Sequence, residues 1–309
     1  MYYPLLRGRQ NELLAIKELV EHSALSSQVI PIIEPVKLSA TLVNTIETFI
    51  KAKHQLVLVC NPGVGSFYTD TKNPKNARYL ERLKELIKNT DFIRRGIIVG
   101  KTTPHKISSY AEQGVPMDSI IALCLEPDAI KYYNEAFENR PVKTVVPFAP
   151  TFRRLKAEKI SIDDKFNKKE RNIEYADPDD EFFSDDHLYS EGYVGFSDYS
   201  VIGKEYSETG FAPTAVAIHI VYFDNKKALR IKHFVSDLNQ GIQNTPGKYG
   251  EAVQKFANWY KDYQHKTMAA DILLDTFNNK KYPGLGKVKE YSLRHHLELI
   301  SRYLDGAIK

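Results

Sequence analysis

The sequence predicts an α/β fold, a closed (β/α)8 barrel, on the strength of two observations. Eight short apolar runs, rich in Val, Ile and Leu, each stop at a polar residue, and most are followed by a stretch with helical spacing. Such alternation is typical of a parallel sheet covered by helices. Eight units suit a barrel whose functional groups collect at the strand C-termini. The runs are 3–6 before Arg7, 30–33 before Glu34, 56–60 before Asn61, 96–100 before Lys101, 120–125 before Glu126, 145–150 before Arg153, 194–197 before Asp198, and 216–218 before His219.

Helices are predicted between the strands because apolar residues recur there about every 3.6 positions. Ser39 is a suitable N-cap for the second helix, and Gly114 follows the fourth where a terminating glycine is expected. The predicted helices span 9–22, 39–53, 76–88, 106–113 and 127–139.

The regular spacing breaks after the sixth strand. Residues 151–191 form a long charged segment, which we interpret as an elaborated loop over the barrel mouth because loops of this length are usually functional or flexible. The seventh strand is expected at 193–198 and the eighth at 215–223, which forms a hairpin with 229–235. Two C-terminal helices, 250–264 and 291–304, complete a single TIM-barrel-like domain over residues 1–309, with 250–309 as a helical addition.

Composition limits the function classes. A chain of 309 residues with 42% hydrophobic residues can fill a barrel core. No apolar run approaches the ~20 residues that span a bilayer, and the N-terminal sequence lacks signal-peptide features, so a cytoplasmic location without a membrane partner is expected. The net charge of +4 is too small for a dedicated nucleic-acid binder but compatible with an anionic ligand. The cysteines, Cys60 and Cys124, have no metal-site spacing.

If the barrel closes, the polar residues that end the strands converge on one rim. We predict catalytic roles for Glu34, Asp198, His219 and Glu126, because a carboxylate and a histidine in a partly dry pocket can serve as acid and base. On the fifth strand, Ala122 and Cys124 share the face of Glu126 and are expected to line the interior, with the bulky aliphatic residues facing the helices. In the alternative interpretation, Glu34 is a salt-bridged structural carboxylate, His219 a hydrogen-bonded core histidine, and Glu126 a charge that favours a helix N-terminus.

A second group of strand-end residues is suited to holding an anion. Arginine and lysine bind phosphate or carboxylate groups, and Asp, Glu and Asn together can coordinate Mg²⁺ or Mn²⁺ through oxygen. The predicted ligand-binding residues are Arg7, Lys37, Asn61, Lys101 and Arg153.

Several segments show a family resemblance. MYYPLLRGRQNELLAIKEL, VIPIIEPVK, GYVGFSDYSVIG and AVAIHIVYF with LRIKHFVSD resemble, in this order and over nearly the whole chain, the uncharacterised beta-protein family of phage and bacterial genomes. The resemblance implies a bacterial or phage cytoplasmic protein with a role in phage–host conflict, beside a partner protein such as a nuclease. The recurrent family positions fall here on Arg7, Glu34, Pro35, Lys37, Asp198, Tyr199 and His219.

Three function classes follow. In the first, the strand-end pocket binds a phosphorylated or nucleotide-like ligand, and the reaction is hydrolysis. In the second, the barrel is a non-catalytic scaffold that binds a partner protein through residues 151–191 and the aromatic C-terminal helix. In the third, the pairs Arg94-Arg95, Arg153-Arg154 and Lys168-Lys169 bind nucleic acid directly, with an affinity that falls as salt is added.

Overall fold

A computed structural model describes residues 1–137, 140–189, 192–208 and 213–308. The chain divides into two compact units. The first comprises residues 1–22, 27–163 and 189–199, and the second comprises 23–26, 164–188 and 200–309. The end of the predicted helix 127–139 lies outside the described residues, as do positions 190 and 191 of the predicted insertion.

The first unit is an eight-stranded parallel barrel, which confirms the predicted fold class. Its strands, in spatial order, are β1 Leu5–Leu6, β2 Ile32–Ile33, β3 Leu56–Val59, β4 Ile93–Ile98, β5 Ile120–Leu123, β6 Lys143–Pro147, β7 Glu158–Asp163 and β9 Gly195–Asp198. The ring closes where Tyr2 forms a parallel bridge with Phe196. There, the backbone N–H of Tyr3 donates to the carbonyl of Phe196 over 2.8 Å, and the N–H of Phe196 donates to the carbonyl of Met1 over 3.1 Å.

Helices connect the first six barrel strands much as the periodicity predicts. They are α1 Gln10–Glu21, α2 Ala40–Lys51, α3 Phe67–Thr71, α4 Ala77–Leu86, α5 Thr103–Glu112 and α6 Ile130–Phe137. The side chain of Ser39 caps α2 by accepting from the N–H of Leu42 over 3.2 Å, and Gly114 has the positive φ of +70° that ends α5.

Bulky aliphatic side chains fill the barrel interior. Leu5, Ile32, Val57, Ile121 and Leu123 belong to one buried cluster made almost entirely of strand residues. The small residues of β5 lie in a different cluster, with side chains of α5 and α6. The prediction that small residues line the interior was therefore wrong, because the centre of a closed barrel must be filled by side-chain volume.

The last two barrel strands also differ from the sequence prediction. The seventh strand is β7, within the segment interpreted as a loop, and β9 is the eighth. Residues 216–218 are not part of the barrel. They lie in or beside β10 Ala217–Phe223, which forms the predicted hairpin with β11 Leu229–Val235.

The second unit is a three-stranded antiparallel sheet with three helices. β8 Asp180–Ser184 pairs with β11, giving the order β10–β11–β8. The helices are α7 Thr245–Tyr260, α8 Met268–Asn278 and α9 Leu285–Leu304. Ile218, Ile220 and Phe234 pack against α7 and α8 in one apolar core. None of the helices described is both long and apolar enough to span a lipid bilayer.

Candidate functional site: the β1–β3 rim of the barrel

An ion pair lies at the C-terminal ends of β1 and β2. Arg7 and Glu34 directly follow these neighbouring strands, whose parallel register pairs Leu6 with Ile33. Nη1 of Arg7 donates to Oε2 of Glu34, and the two side chains are only 12% and 5% exposed. Both continue the inward-facing positions of their strands, since Leu5 and Ile32 belong to the interior cluster. The pair therefore sits above the barrel interior, at the end of the barrel where catalytic groups collect in this fold.

The loop after β3 completes the surroundings of Glu34. The backbone N–H of Gly63 donates to Oε1 of Glu34 over 2.8 Å, so both carboxylate oxygens are bound. Gly65 lies against Val36, and a Cβ built on Gly65 would lie 2.3 Å from the carbonyl oxygen of Val36. Since Gly65 also has a φ of +78°, only glycine fits this turn. The glycines of the 61–65 loop thus bring its backbone to the carboxylate.

Tyr199 forms the other side of the rim. Its ring belongs to the interior cluster, and the guanidinium carbon of Arg7 lies 5.5 Å from the ring centroid. This distance is within the range of a cation–π contact. Tyr199 fixes the plane of the guanidinium from one side while Glu34 binds its Nη1. We call Arg7, Glu34, Gly63 and Tyr199 the Arg7 rim.

Asn61 has a structural position beside this rim. Its Nδ2 donates to the carbonyl of Ile98 over 2.8 Å, and its Oδ1 accepts from the N–H of Ile98 over 2.9 Å. The amide thereby bonds to the backbone of β4 two residues beyond the last β3–β4 pair, Val59 with Gly96. These two bonds use the groups that a ligand would need.

Asp198 faces away from the Arg7 rim. Its Oδ1 accepts from the hydroxyl of Tyr2 over 2.6 Å, and Tyr2 stacks on Phe196 at 4.9 Å. Phe196 and Asp198 share one face of β9, and Tyr3, the neighbour of Tyr2, lies in the interior cluster. Asp198 is therefore on the outer face, buried at 2% exposure. The prediction that Asp198 converges with Glu34 was therefore wrong. Side chains alternate between the two faces of a strand, and Asp198 is on the outer face of β9 whereas Glu34 continues the inner face of β2.

Glu126 and Lys101 also do not join Glu34 on the interior side of the strand ends, where the sequence had predicted them. Both are exposed. Glu126 comes two residues after Cys124, and Lys101 comes two residues after Val99. Cys124 and Val99 pack in the cluster with α5 and α6 rather than in the interior. Because Ile121 and Leu123 face the interior, opposite to the prediction, the alternation along the chain places Glu126 on the outer side.

Lys37 and Arg153 are exposed side chains near strand ends. Lys37 follows β2 by four residues, next to the Gly65 turn. Arg153 follows a 3-10 turn over Pro150–Phe152. Neither has an ion pair within the described ranges.

His219 is not a barrel residue. It lies on β10 opposite His233 of β11, and the Nδ1 atoms of the two rings are 2.8 Å apart. Tyr175 contacts both rings, with centroids 4.7 and 4.8 Å away. Oε2 of Glu181 lies 3.9 Å from Nε2 of His233. The prediction that His219 ends a barrel strand was wrong, because the apolar run around it belongs to an antiparallel hairpin.

The Arg7 rim does not fit a divalent metal. One Glu34 oxygen binds a guanidinium and the other binds a backbone N–H, whereas Mg²⁺ or Mn²⁺ needs several free oxygen ligands. Across the described ranges there is no group of three or more His, Cys, Asp or Glu side chains able to hold a metal. The rim therefore does not offer the free oxygen ligands that either ion needs.

Two surface clefts are lined by residues that do not belong to the rim. One, of about 260 Å³, lies between α5 and α6 beside Ile107 and Glu135. The other, of about 380 Å³, lies between α8 and α9 beside Thr276 and Tyr291. Neither is lined by a predicted site residue, and the rim differs from both because its charged groups are buried and oriented.

Sequence reasoning missed the backbone of Gly63 as a partner of Glu34 and the hydroxyl of Tyr2 as a partner of Asp198. The glycine spacing in Asn61-Pro62-Gly63-Val64-Gly65 was the available signal for the first, and the second had none. Neither a protein-family model nor a curated protein sequence matches the chain.

Proposed function

We propose that the barrel binds a phosphorylated or nucleotide-like ligand at the Arg7 rim. The observation that carries this proposal is the guanidinium of Arg7, whose side chain is only 12% exposed and is oriented by Glu34 and Tyr199 at the C-terminal end of the strands. A planar guanidinium is suited to bidentate contact with phosphate or carboxylate. Its fixed orientation reduces the entropy lost when a ligand binds.

The charge of Glu34 restricts the ligand class. The ion pair is close to neutral as a unit, so a simple anion would be attracted by Arg7 and repelled by Glu34. Each carboxylate oxygen can accept more than one hydrogen bond. The favoured ligand therefore presents an anionic group to Arg7 and a hydroxyl or amine donor to Glu34, as a sugar phosphate or nucleotide does.

Binding is better supported than hydrolysis. Of the four proposed acid–base residues, Glu34 pairs with Arg7, Asp198 accepts from Tyr2 on the outer face of β9, Glu126 is exposed, and His219 lies on the hairpin of the second unit. Any hydrolytic step at this rim would depend on Glu34 as its acid or base.

The test is calorimetric titration of the protein with a panel of nucleoside mono-, di- and triphosphates. Arg7→Lys keeps the charge but loses the fork, and we expect it to weaken binding at least about tenfold. Arg82→Lys, at the exposed pair with Glu47, is the matched control and should bind like wild type. Absence of binding at millimolar ligand, or equal affinities for the two variants, would contradict the proposal.

A scaffold role is the second candidate. β8 is an edge strand, and Phe182 on it is 56% exposed. Exposed edge strands can pair with a strand of a partner. Deleting residues 155–190 cannot test this idea, because the deletion removes β7 and β8 from both sheets. Phe182→Ser is a cleaner variant, and partner co-purification that survives it counts against β8 as the contact.

From the resemblance to the beta-protein family we further propose a cytoplasmic role in phage–host conflict. Plaque counts on bacteria that express wild-type protein or Arg7→Lys test this role. A reduction in plaques that is equal for both proteins would separate the role from the rim.

A further inference from the structure

An exposed aromatic pair lies on the barrel unit just after β6. Phe148 is 72% exposed, which is unusual for a phenylalanine. Its ring centroid lies 5.7 Å from that of Tyr193, with the planes tilted by 42°. Tyr193 is half-buried. The outer ring of the pair therefore presents a face to solvent while the inner ring supports it.

The segment that carries these rings is anchored. Phe152 and Leu155 are 2% and 5% exposed and belong to the buried cluster that contains side chains of α5 and α6, against which Tyr193 also packs. The buried side chains fix the turn between β6 and β7. Phe148 is thus exposed on an anchored backbone.

Four cationic side chains lie on the same segment. Arg153, Arg154 and Lys156 are exposed, and Nζ of Lys159 donates to the carbonyl of Arg153 over 2.5 Å. Within the described ranges none of the four forms an ion pair with a carboxylate. Glu158 is the acidic residue between them, so 153–159 carries four positive charges and one negative charge, a net +3.

The cations adjoin the aromatic pair. Burial raises the pKa of the Tyr193 hydroxyl, and the nearby charge of Arg153 opposes this rise. The backbone N–H of Val194, next to Tyr193, donates to the carbonyl of Lys159 over 2.8 Å. Arg153 therefore lies close to the aromatic pair, and Arg154 and Lys156 are exposed on the same short segment. We name Phe148, Tyr193, Arg153, Arg154 and Lys156 the aromatic–basic surface.

We propose that the aromatic–basic surface binds single-stranded nucleic acid, with a base stacked on Phe148 and the adjoining phosphates held by Arg153 and Arg154. Non-sequence-specific single-strand sites combine an aromatic ring with flanking cations in this way. A duplex is disfavoured because its bases already stack on each other. An anionic membrane is disfavoured because one exposed ring offers little apolar area for insertion. This inference does not depend on the Arg7 rim.

The test is fluorescence anisotropy of a labelled oligothymidylate of about 12 nucleotides, within the size range of such sites, titrated with the full chain at low salt. Phe148→Ala should weaken binding about tenfold or more, since one stacked base contributes roughly 1–3 kcal/mol. Arg153→Ala with Arg154→Ala should lower the slope of log affinity against log salt by about 0.7 for each phosphate that the protein no longer neutralises. Tyr68→Ala, which removes a 51% exposed ring on α3, is the matched control and should bind like wild type.

Several results would overturn the proposal. These are no binding of the oligonucleotide at low salt, an equal loss in Tyr68→Ala and Phe148→Ala, or tighter binding of the matching duplex. Binding to phosphatidylserine vesicles without binding to the oligonucleotide would also overturn it and would identify a membrane surface instead. Because Arg7→Lys leaves this surface intact, oligonucleotide binding by that variant separates this proposal from the nucleotide site.

Discussion

His219 and His233 face each other across neighbouring antiparallel strands, with their Nδ1 atoms 2.8 Å apart. One Nδ1 must donate and the other accept, so at least one ring is neutral. Burial lowers the pKa of His219 well below its usual value, and the positive charges of His233 and Lys289 lower it further. Burial also lowers the pKa of His233, against the opposing charges of Glu181, Asp179 and Asp180. The hydrogen bond therefore depends on a shared proton between two poorly basic rings.

The second unit should be sensitive to acid. Burial also lowers the pKa of His295 to about 4 and that of His296 to about 3. Because these folded-state pKa values lie below the unfolded value near 6.5, the unfolded chain binds more protons below that pH. These two histidines therefore leave the free energy of unfolding of the second unit unchanged above pH 6.5. They lower it as the pH falls towards 4 and 3, by on the order of 3 kcal/mol or more at pH 4.

Denaturant titrations at several pH values, followed by fluorescence, measure this loss. The single tryptophan, Trp259, lies on α7 and reports on the second unit. Equal unfolding midpoints at pH 7.5 and pH 4.5 would contradict the prediction.

The burial of Glu12 should give the stability of the barrel unit the opposite pH dependence. It is 5% exposed on α1, and burial raises its pKa to about 7 although the charge of Arg9 opposes the rise. Since the folded pKa lies above the unfolded value of 4.5, stability is lost as the pH rises from 4.5 through 7. Glu12→Gln should therefore raise the free energy of unfolding at pH 8 by on the order of 1–3 kcal/mol. Thermal melts at pH 8 and pH 4.5 check this, and the exposed Glu21→Gln on the same helix should change stability by less than about 1 kcal/mol.

The ion pair at the rim should show strong coupling. Arg7→Met or Glu34→Gln leaves one buried charge without its partner, which typically destabilises a protein by about 3–5 kcal/mol. The double variant should be less destabilised than the sum of the two. A double-mutant cycle from urea titrations measures the difference, and additive effects would show that the pair does not act as a unit.

Gly65, in the loop that follows β3, should not tolerate substitution by any other residue. Gly65→Ala adds a Cβ 2.3 Å from the carbonyl oxygen of Val36 at a φ of +78°. Gly114→Ala adds a Cβ at a similar φ of +70° with no atom within 4 Å. The control should therefore show only the left-handed backbone cost of about 1–2 kcal/mol, and Gly65→Ala should be destabilised by clearly more. Thermal melts of both variants compare the two costs, and similar losses would rule out the contact with Val36 as the reason.

The barrel could be predicted from the sequence because most of its strands are buried on both faces and appear as continuous apolar runs. β7 is different: Ile160 and Ile162 alternate with Lys159 and Ser161. This half-polar strand resembles the charged segment around it. The run at 216–218 is more apolar and therefore fits the pattern of an eighth barrel strand better, although it lies at the hairpin.

The rim was only partly predictable. Arg7 and Glu34 end adjacent strands, so parallel pairing alone brings them together. The sequence does not show which face of β9 carries Asp198. The chain beside β9 has Tyr2 and Tyr3 in succession, and both are buried although they lie on opposite faces of the barrel sheet. Orientation in a closed barrel depends on which residues fill its volume, and apolar character alone does not distinguish the two sides.

The bridge between Tyr2 and Phe196 also sets the order of events during synthesis. On the ribosome, β1 has no partner on one side until residue 196 has left the exit tunnel. A growing chain shorter than this therefore carries a sheet with two unpaired edge strands. Such edges can associate with other nascent chains. Premature termination before β9 should therefore produce an aggregating fragment rather than a smaller stable barrel.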